Sequence, residues 1–265
     1  MPTEKQRRQA AQRHLQKQLE RRAEETRKRR RTMAILATAV SVLVVLGAVL
    51  LLTGVFSDDE PATDSPQAAG TVSCTYAPDD SGNPNLTEVG TPPDPQSTPD
   101  TGTSTLLMST GQGDLTLTLD RATAPCAAAS FTYLASEKFF DGSSCHRMVN
   151  GEAFGVLQCG DPSGTGQGGP TYRFAEEVTP ETTYPRGTIA MANSGQPGST
   201  GSQFFLCFTD SQLPPNYTAV GTVDDAGLAV LDQIALAGND GSMEPSPGGG
   251  APNTPVTIES MTVVS

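Results

Sequence analysis

Apolar and polar residues alternate without a break over DLTLTLD, with Leu115, Leu117 and Leu119 on one side and Thr116 and Thr118 on the other. A period of two predicts a half-buried strand. Short apolar runs of strand length recur at Cys145–Val149, Val156–Cys159, Thr188–Asn193, Gln203–Phe208 and Thr218–Val223, and the chain ends on the strand-like PVTIESMTV. Loops rich in Gly, Pro, Ser and Asn separate them, as tightly turned β-structure requires. Two segments change to the helical period. Pro125, suited to the first position of a helix, opens a run with Phe131, Leu134 and Ala135 on one face that ends near Lys138. A shorter helix is predicted over Leu228–Leu236, through Leu228, Leu231 and Ile234. Many short strands and two well-separated helices, all after Ser104, predict one mainly β domain over 104–265, a closed barrel with helical caps.

The pattern before Ser104 is different. Residues 4–31 are Ala, Gln, Glu, Lys and Arg with no Gly or Pro, which favours helix, and only Leu15 and Leu19 are large and apolar. With no apolar stripe, this basic segment (1–32) has no core of its own. The run Met33 to Leu52 is apolar or small and uncharged, between Arg29–Arg31 and the acidic Asp58, Asp59 and Glu60. As a helix it would span roughly 30 Å, the thickness of a bilayer core. A transmembrane anchor is predicted over 33–54. A cleaved signal peptide fits less well, because the basic region is long and no small-x-small site follows Leu52. The Arg cluster places the N-terminus in the cytoplasm by the positive-inside rule, and everything after Val55 outside. Residues 55–103 then read as a Pro/Ser/Thr-rich linker, too polar to form a core. Val72, Cys74, Tyr76, Leu86 and Val89 are its exceptions.

Charge sharpens this division. The formal net charge is −12, yet residues 1–32 carry 12 Lys/Arg against 4 Asp/Glu, leaving 5 basic and 25 acidic residues beyond them. So acidic a body excludes nucleic acid as a partner, since phosphates need clustered Lys and Arg. His146 is the only histidine after the apolar run. No G-x-S-x-G elbow accompanies it, which disfavours a Ser-His-Asp hydrolase, and histidine-based metal sites lack ligands. GDPSGTGQGGP lacks the G-K-[ST] ending of a phosphate cradle. No metal or cofactor is expected. Cys74, Cys126, Cys145, Cys159 and Cys207 are an odd number in a compartment where disulfides persist. Cys145 and Cys159 lie on strands expected to be neighbours and are the first candidate pair; pairings that join Cys74 to the barrel stay open.

Four short motifs carry the chemistry: FDGSSCHR, LQCGD, MANSG and GSQFF. In this order and separation they resemble the cyclophilin family of peptidyl-prolyl cis-trans isomerases, over about Ser104 to Ser265. The basic head, the apolar run and the CHR and LQCGDP spellings are most similar to the membrane-anchored actinobacterial members. The resemblance implies an eight-stranded antiparallel barrel capped by two helices, with a proline groove on its outer face. It implies that Arg147 is the catalytic arginine and Gln158 the glutamine of the groove floor. It assigns Ala192 and Asn193 to the strand that binds the substrate backbone, and Gln203, Phe205, Leu213 and Tyr217 to the groove and the proline pocket, with Val156 and Phe154 beside them. Three positions depart from the pattern. Arg147 and Gln158 are eleven residues apart, about three more than the family's spacing. The family's groove aromatic would fall on Gly155, with Phe154 one position earlier. Gln212 stands where many members carry Trp, so binding of cyclosporin-type inhibitors is expected to be weak. The expected function is isomerisation of X–Pro bonds in exported proteins near the membrane; the alternative is a weakly active proline-peptide-binding chaperone module.

Overall fold

The computed structural model describes residues 70–264. The predicted basic helix and the anchor over 33–54 lie outside the described residues, as does the linker before Gly70. Among the described residues no helix is long and apolar enough to cross a membrane.

Eight antiparallel strands form the main sheet: β1 (Thr103–Thr110), β2 (Gly113–Asp120), β3 (Arg147–Gly151), β4 (Phe154–Cys159), β5 (Thr188–Met191), β6 (Phe204–Cys207), β7 (Ala219–Val223) and β8 (Ile258–Val263). Their order is β8-β1-β2-β7-β5-β6-β4-β3. The DLTLTLD alternation holds: Leu115, Leu117 and Leu119 are fully buried, and β2 pairs with β1 along its whole length. Two helices pack on the sheet, α1 (Pro125–Ser136) and α2 (Asp225–Ala237). Pro125 occupies the first turn of α1, whose N-cap residue Ala124 offers no side-chain acceptor. The carboxylate of Glu177 does this instead, accepting from the backbone N–H groups of Cys126 and Ala127 at 3.0 and 2.8 Å. At α2, Asp224 is a conventional N-cap and accepts from Gly227 N at 2.9 Å. Phe131 and Leu134 of α1 and Leu231 and Ile234 of α2 are buried in one apolar core with Phe140, Leu157 and Phe204.

The expected closed barrel is corrected to an open eight-stranded sheet. β3 and β8 are its edges and do not form a ladder with each other. Isolated bridges, Ser144 to Thr257 and Met148 to Gly250, span the seam. The reason lies in the chain that approaches the β3 edge. Residues 245–255 contain Pro245, Pro247, Pro252, Pro255 and the glycine run 248–250, and proline cannot donate to a ladder. Gly249 (φ +76°) and Gly250 instead come so close that a Cβ on Gly249 would lie 2.1 Å from the Met148 carbonyl oxygen.

Residues 70–102 lie on the domain as a strap. Cys74 is disulfide-bonded to Cys126 in α1. The Tyr76 ring meets Tyr172 and Phe174 edge-on at 5.4 and 5.5 Å. Leu86 pairs in parallel with Gly169. The exceptions noted within the linker therefore include the residues that seat it.

Candidate active site

Strand alternation builds the site on the sheet's outer face. In β3, Met148 enters the core while Arg147 and Val149 face outward; in β4, Leu157 and Cys159 enter the core while Phe154, Val156 and Gln158 face outward. In β6 the same rule separates the phenylalanines. Phe204 lies in the core against Phe131, and Phe205 belongs to a second apolar cluster with Val156, Tyr184, Ala190 and Cys207. Both faces of the sheet are thus apolar here, and the outer one is open.

A cavity of about 570 Å³ lies over that face, and Arg147, Phe154, Val156, Gln158, Ala192, Asn193, Phe205, Leu213 and Tyr217 all line it. Gln203 lines an adjoining cavity of about 410 Å³, which shares Gln158, Ala192 and Asn193 with the first. Nine of the ten residues named from the sequence therefore meet in one cavity, and the tenth, Gln203, is hydrogen-bonded to Gln158 in its lining. Phe205 meets Tyr217 edge-to-face at 5.4 Å. The Tyr184 hydroxyl ties the Tyr217 segment down, donating to Tyr217 O at 2.8 Å and accepting from Tyr217 N at 2.9 Å.

The polar rim is a relay. Arg147 Nη1 donates to Gln158 Oε1 at 3.0 Å. Gln158 Nε2 donates to Gln203 Oε1 at 2.9 Å, and Gln203 Nε2 donates to the Gly166 and Gly168 carbonyls at 3.1 and 3.0 Å. On its other side Arg147 donates from Nε to Gly248 O at 2.9 Å and from Nη2 to Pro247 O at 2.8 Å. Its Cζ lies 6.0 Å from the centre of the Phe154 ring, within cation–π reach. Burial lowers Arg147 below the usual guanidinium range, with Tyr217 and Glu244 acting in the opposite sense. A permanent cation, half-buried and held in three directions, borders an apolar slot.

The longer Arg–Gln spacing leaves the pair intact. Arg147 and Gln158 are direct partners across the β3–β4 hairpin, whose turn is Glu152–Ala153. Phe154 lines the cavity and shares the outward face with Val156 and Gln158, whereas a Cβ on Gly155 would fall 2.5 Å from Thr209 Oγ1 and 2.8 Å from the Phe208 ring. Gln212 is exposed and does not line the cavity. His146, Gly166, Met243 and Pro247 are lining residues that the sequence pattern did not single out for this role. Pro247 lies in a Pro/Gly-rich loop about a hundred residues from Arg147, and no local pattern announces that contact. His146 is buried, its Nδ1 has no hydrogen-bond partner, and its imidazole is held below the usual range by burial, against the pull of Asp161 and with Arg147 adding to the depression.

Cysteine pairing is resolved. Cys145 is bonded to Cys159, beside Arg147 and Gln158, and Cys74 to Cys126. Cys207 is free and buried, its thiol pushed up to about 11 by burial, which makes it inert.

An antiparallel eight-stranded sheet with two helices and an arginine-rimmed apolar cavity on its outer face defines the cyclophilin class. Residues 105–263 match the model of the cyclophilin-type peptidyl-prolyl cis-trans isomerase/CLD family, and the chain belongs to that family. It is 45% identical over 174 residues to a probable peptidyl-prolyl cis-trans isomerase B of Mycobacterium leprae, covering 61% of this chain and 57% of that protein. The chain thus spans little more than half the length of that relative. Among solved structures, a cyclophilin-type isomerase of Cryptosporidium parvum has a TM-score of 0.53 at 29% identity, covering 62% of this chain and 99% of that one. The same protein in the presence of the dipeptide Ala-Pro has a TM-score of 0.51 at 30% identity, covering 61% and 99%.

Proposed function

We propose that this protein is a peptidyl-prolyl cis-trans isomerase acting on X–Pro bonds of exported polypeptides, tethered to the membrane by residues 33–54 with its catalytic domain outside. The observation that carries the catalytic reading is Arg147, fixed by Gln158 and by two loop carbonyls at the rim of a cavity walled by Phe205. Rotation about the prolyl amide is slow because resonance must be broken, a barrier of about 18–20 kcal/mol. As the amide twists, the prolyl nitrogen pyramidalises and its lone pair becomes localised. A guanidinium against that nitrogen stabilises the twisted state more than the planar one, which is what catalysis requires. The slot formed by Val156, Phe205, Leu213 and Tyr217 grips the proline ring while the acyl side turns. Ala192 and Asn193 offer backbone groups to the peptide, and Gln203 steadies Gln158. No covalent intermediate enters this scheme.

A protease-coupled assay on an X-Pro peptide, run on wild type and Arg147→Ala, tests the reading. Loss of about 10²–10³ in kcat/KM is expected. Equal turnover by the variant overturns the mechanism, and peptide binding without turnover by wild type would mark a proline-peptide-binding module. Membrane fractionation of the chain with and without residues 33–54 tests the anchor.

A further inference from the structure

The contact that Arg147 makes with Gly248 has a second half. Gly248 O, which accepts from Arg147 Nε at 2.9 Å, belongs to the same peptide group as Gly249 N–H. That N–H donates to Glu244 Oε1 at 2.6 Å. One peptide plane is therefore held between a carboxylate and a guanidinium, with its dipole aligned from one to the other. A hydrogen bond at each end of a peptide strengthens both, because each polarises the group for its neighbour.

The rest of the loop is built to present that plane. Met243 N donates to Gly249 O at 3.0 Å and Gly248 N to Met243 O at 3.0 Å. Asp240 Oδ1 accepts from Ser242 N and Ala251 N, both at 2.9 Å. Gly250 and Met148 exchange backbone hydrogen bonds that dock the loop on β3. No residue but glycine fits at 249, where φ is +76° and a Cβ would meet the Met148 carbonyl. The loop thus reaches Arg147 from the side opposite to Gln158.

We infer that Glu244 is a positioning residue for Arg147, acting through the peptide group between Gly248 and Gly249. The inference rests on the reading of Arg147 as the group that stabilises the twisted amide. Glu244 is not among the residues that line the cavity. It fixes the direction of the Gly248 carbonyl, and that carbonyl sets the direction of the guanidinium plane. Because Glu244 is exposed, solvent screens its charge, so its use lies in the acceptor oxygen rather than in the net charge. Glutamine, which keeps that oxygen, should therefore substitute for it.

The test uses the full-length chain with Glu244→Ala, Glu244→Gln and Arg147→Ala, alone and with Glu244→Ala. Glu244→Ala is expected to lower kcat about ten- to a hundredfold, the cost of a misaligned catalytic group, with KM within about twofold of wild type. Glu244→Gln is expected to regain most of that loss. In the Arg147→Ala background, Glu244→Ala should add nothing, since the two act as one unit. The Arg147 Nε–H resonance in ¹⁵N-labelled protein should shift in Glu244→Ala and return in Glu244→Gln, with melting temperature recorded as the control for folding. Wild-type kcat in Glu244→Ala, a full further loss in the Arg147→Ala background, or an unmoved Nε–H resonance would overturn the inference. Should Arg147→Ala itself be fully active, the catalytic reading fails instead, and the Nε–H resonance alone decides whether Glu244 positions Arg147.

Discussion

Arg147 and Gln158 face each other across the β3–β4 hairpin, joined by one hydrogen bond of 3.0 Å although eleven residues separate them in sequence. With the Pro247 and Gly248 carbonyls, Gln158 completes a three-way grip on a planar cation. Lysine would keep the charge but cannot make that fork. Arg147→Lys is expected to lose about 10²-fold in kcat/KM in the coupled assay, less than Arg147→Ala loses.

The two disulfides close loops of different length, with separations of 52 residues for Cys74–Cys126 and 14 for Cys145–Cys159. Chain-entropy arguments give about 4 kcal/mol for the longer loop and about 3 kcal/mol for the shorter. Denaturant titration of Cys74→Ser/Cys126→Ser and Cys145→Ser/Cys159→Ser should rank them in that order. The second variant should also lower turnover, because that disulfide joins the strands that carry Arg147 and Gln158.

Gly155 has no room for a side chain, since Thr209 and Phe208 occupy the space. Gly155→Ala should cost about 1–3 kcal/mol by overpacking, measured by thermal or urea unfolding. Phe154→Ala, on the open face, should raise KM and leave the melting temperature nearly unchanged.

His146 gives a pH signature. Burial depresses its folded-state pKa, so below about pH 6.5 the unfolded chain takes up a proton that the folded chain refuses. The unfolded state then binds more protons, and stability falls as pH falls. The loss begins at the ordinary imidazole value and continues down to the depressed one. Urea midpoints between pH 7 and 5 should drop for wild type and stay flatter for His146→Gln.

Gln212, at the position to which the family resemblance assigns Trp, is exposed and is not among the residues that line the cavity. Cyclosporin-type inhibitors are therefore expected to bind weakly. A titration of isomerase activity checks this, and inhibition in the nanomolar range would contradict it.

Much of the domain was legible because its period is local. The alternation that put Leu115, Leu117 and Leu119 inside is the same that sent Phe204 inward and Phe205 outward. Phe154 obeys it too, sharing one parity with Val156 and Gln158. What could not be read depends on contacts distant in sequence. The open seam follows from where a Pro/Gly-rich loop meets β3. The strap is seated by Cys74, Tyr76 and Leu86 on partners 50 to 100 residues further on, and its Pro/Ser/Thr composition resembles a spacer. Arg147 meets this loop at the carbonyls of Pro247 and Gly248, and backbone groups carry no side-chain signature at all.

The bond from Cys74 to Cys126 closes a ring of chain that contains most of the strap and the whole of β1 and β2. A single proteolytic nick inside that ring, between Ser81 and Thr101 for instance, would leave two fragments still covalently joined. Such a molecule would migrate as one species until a thiol reductant released the shorter piece.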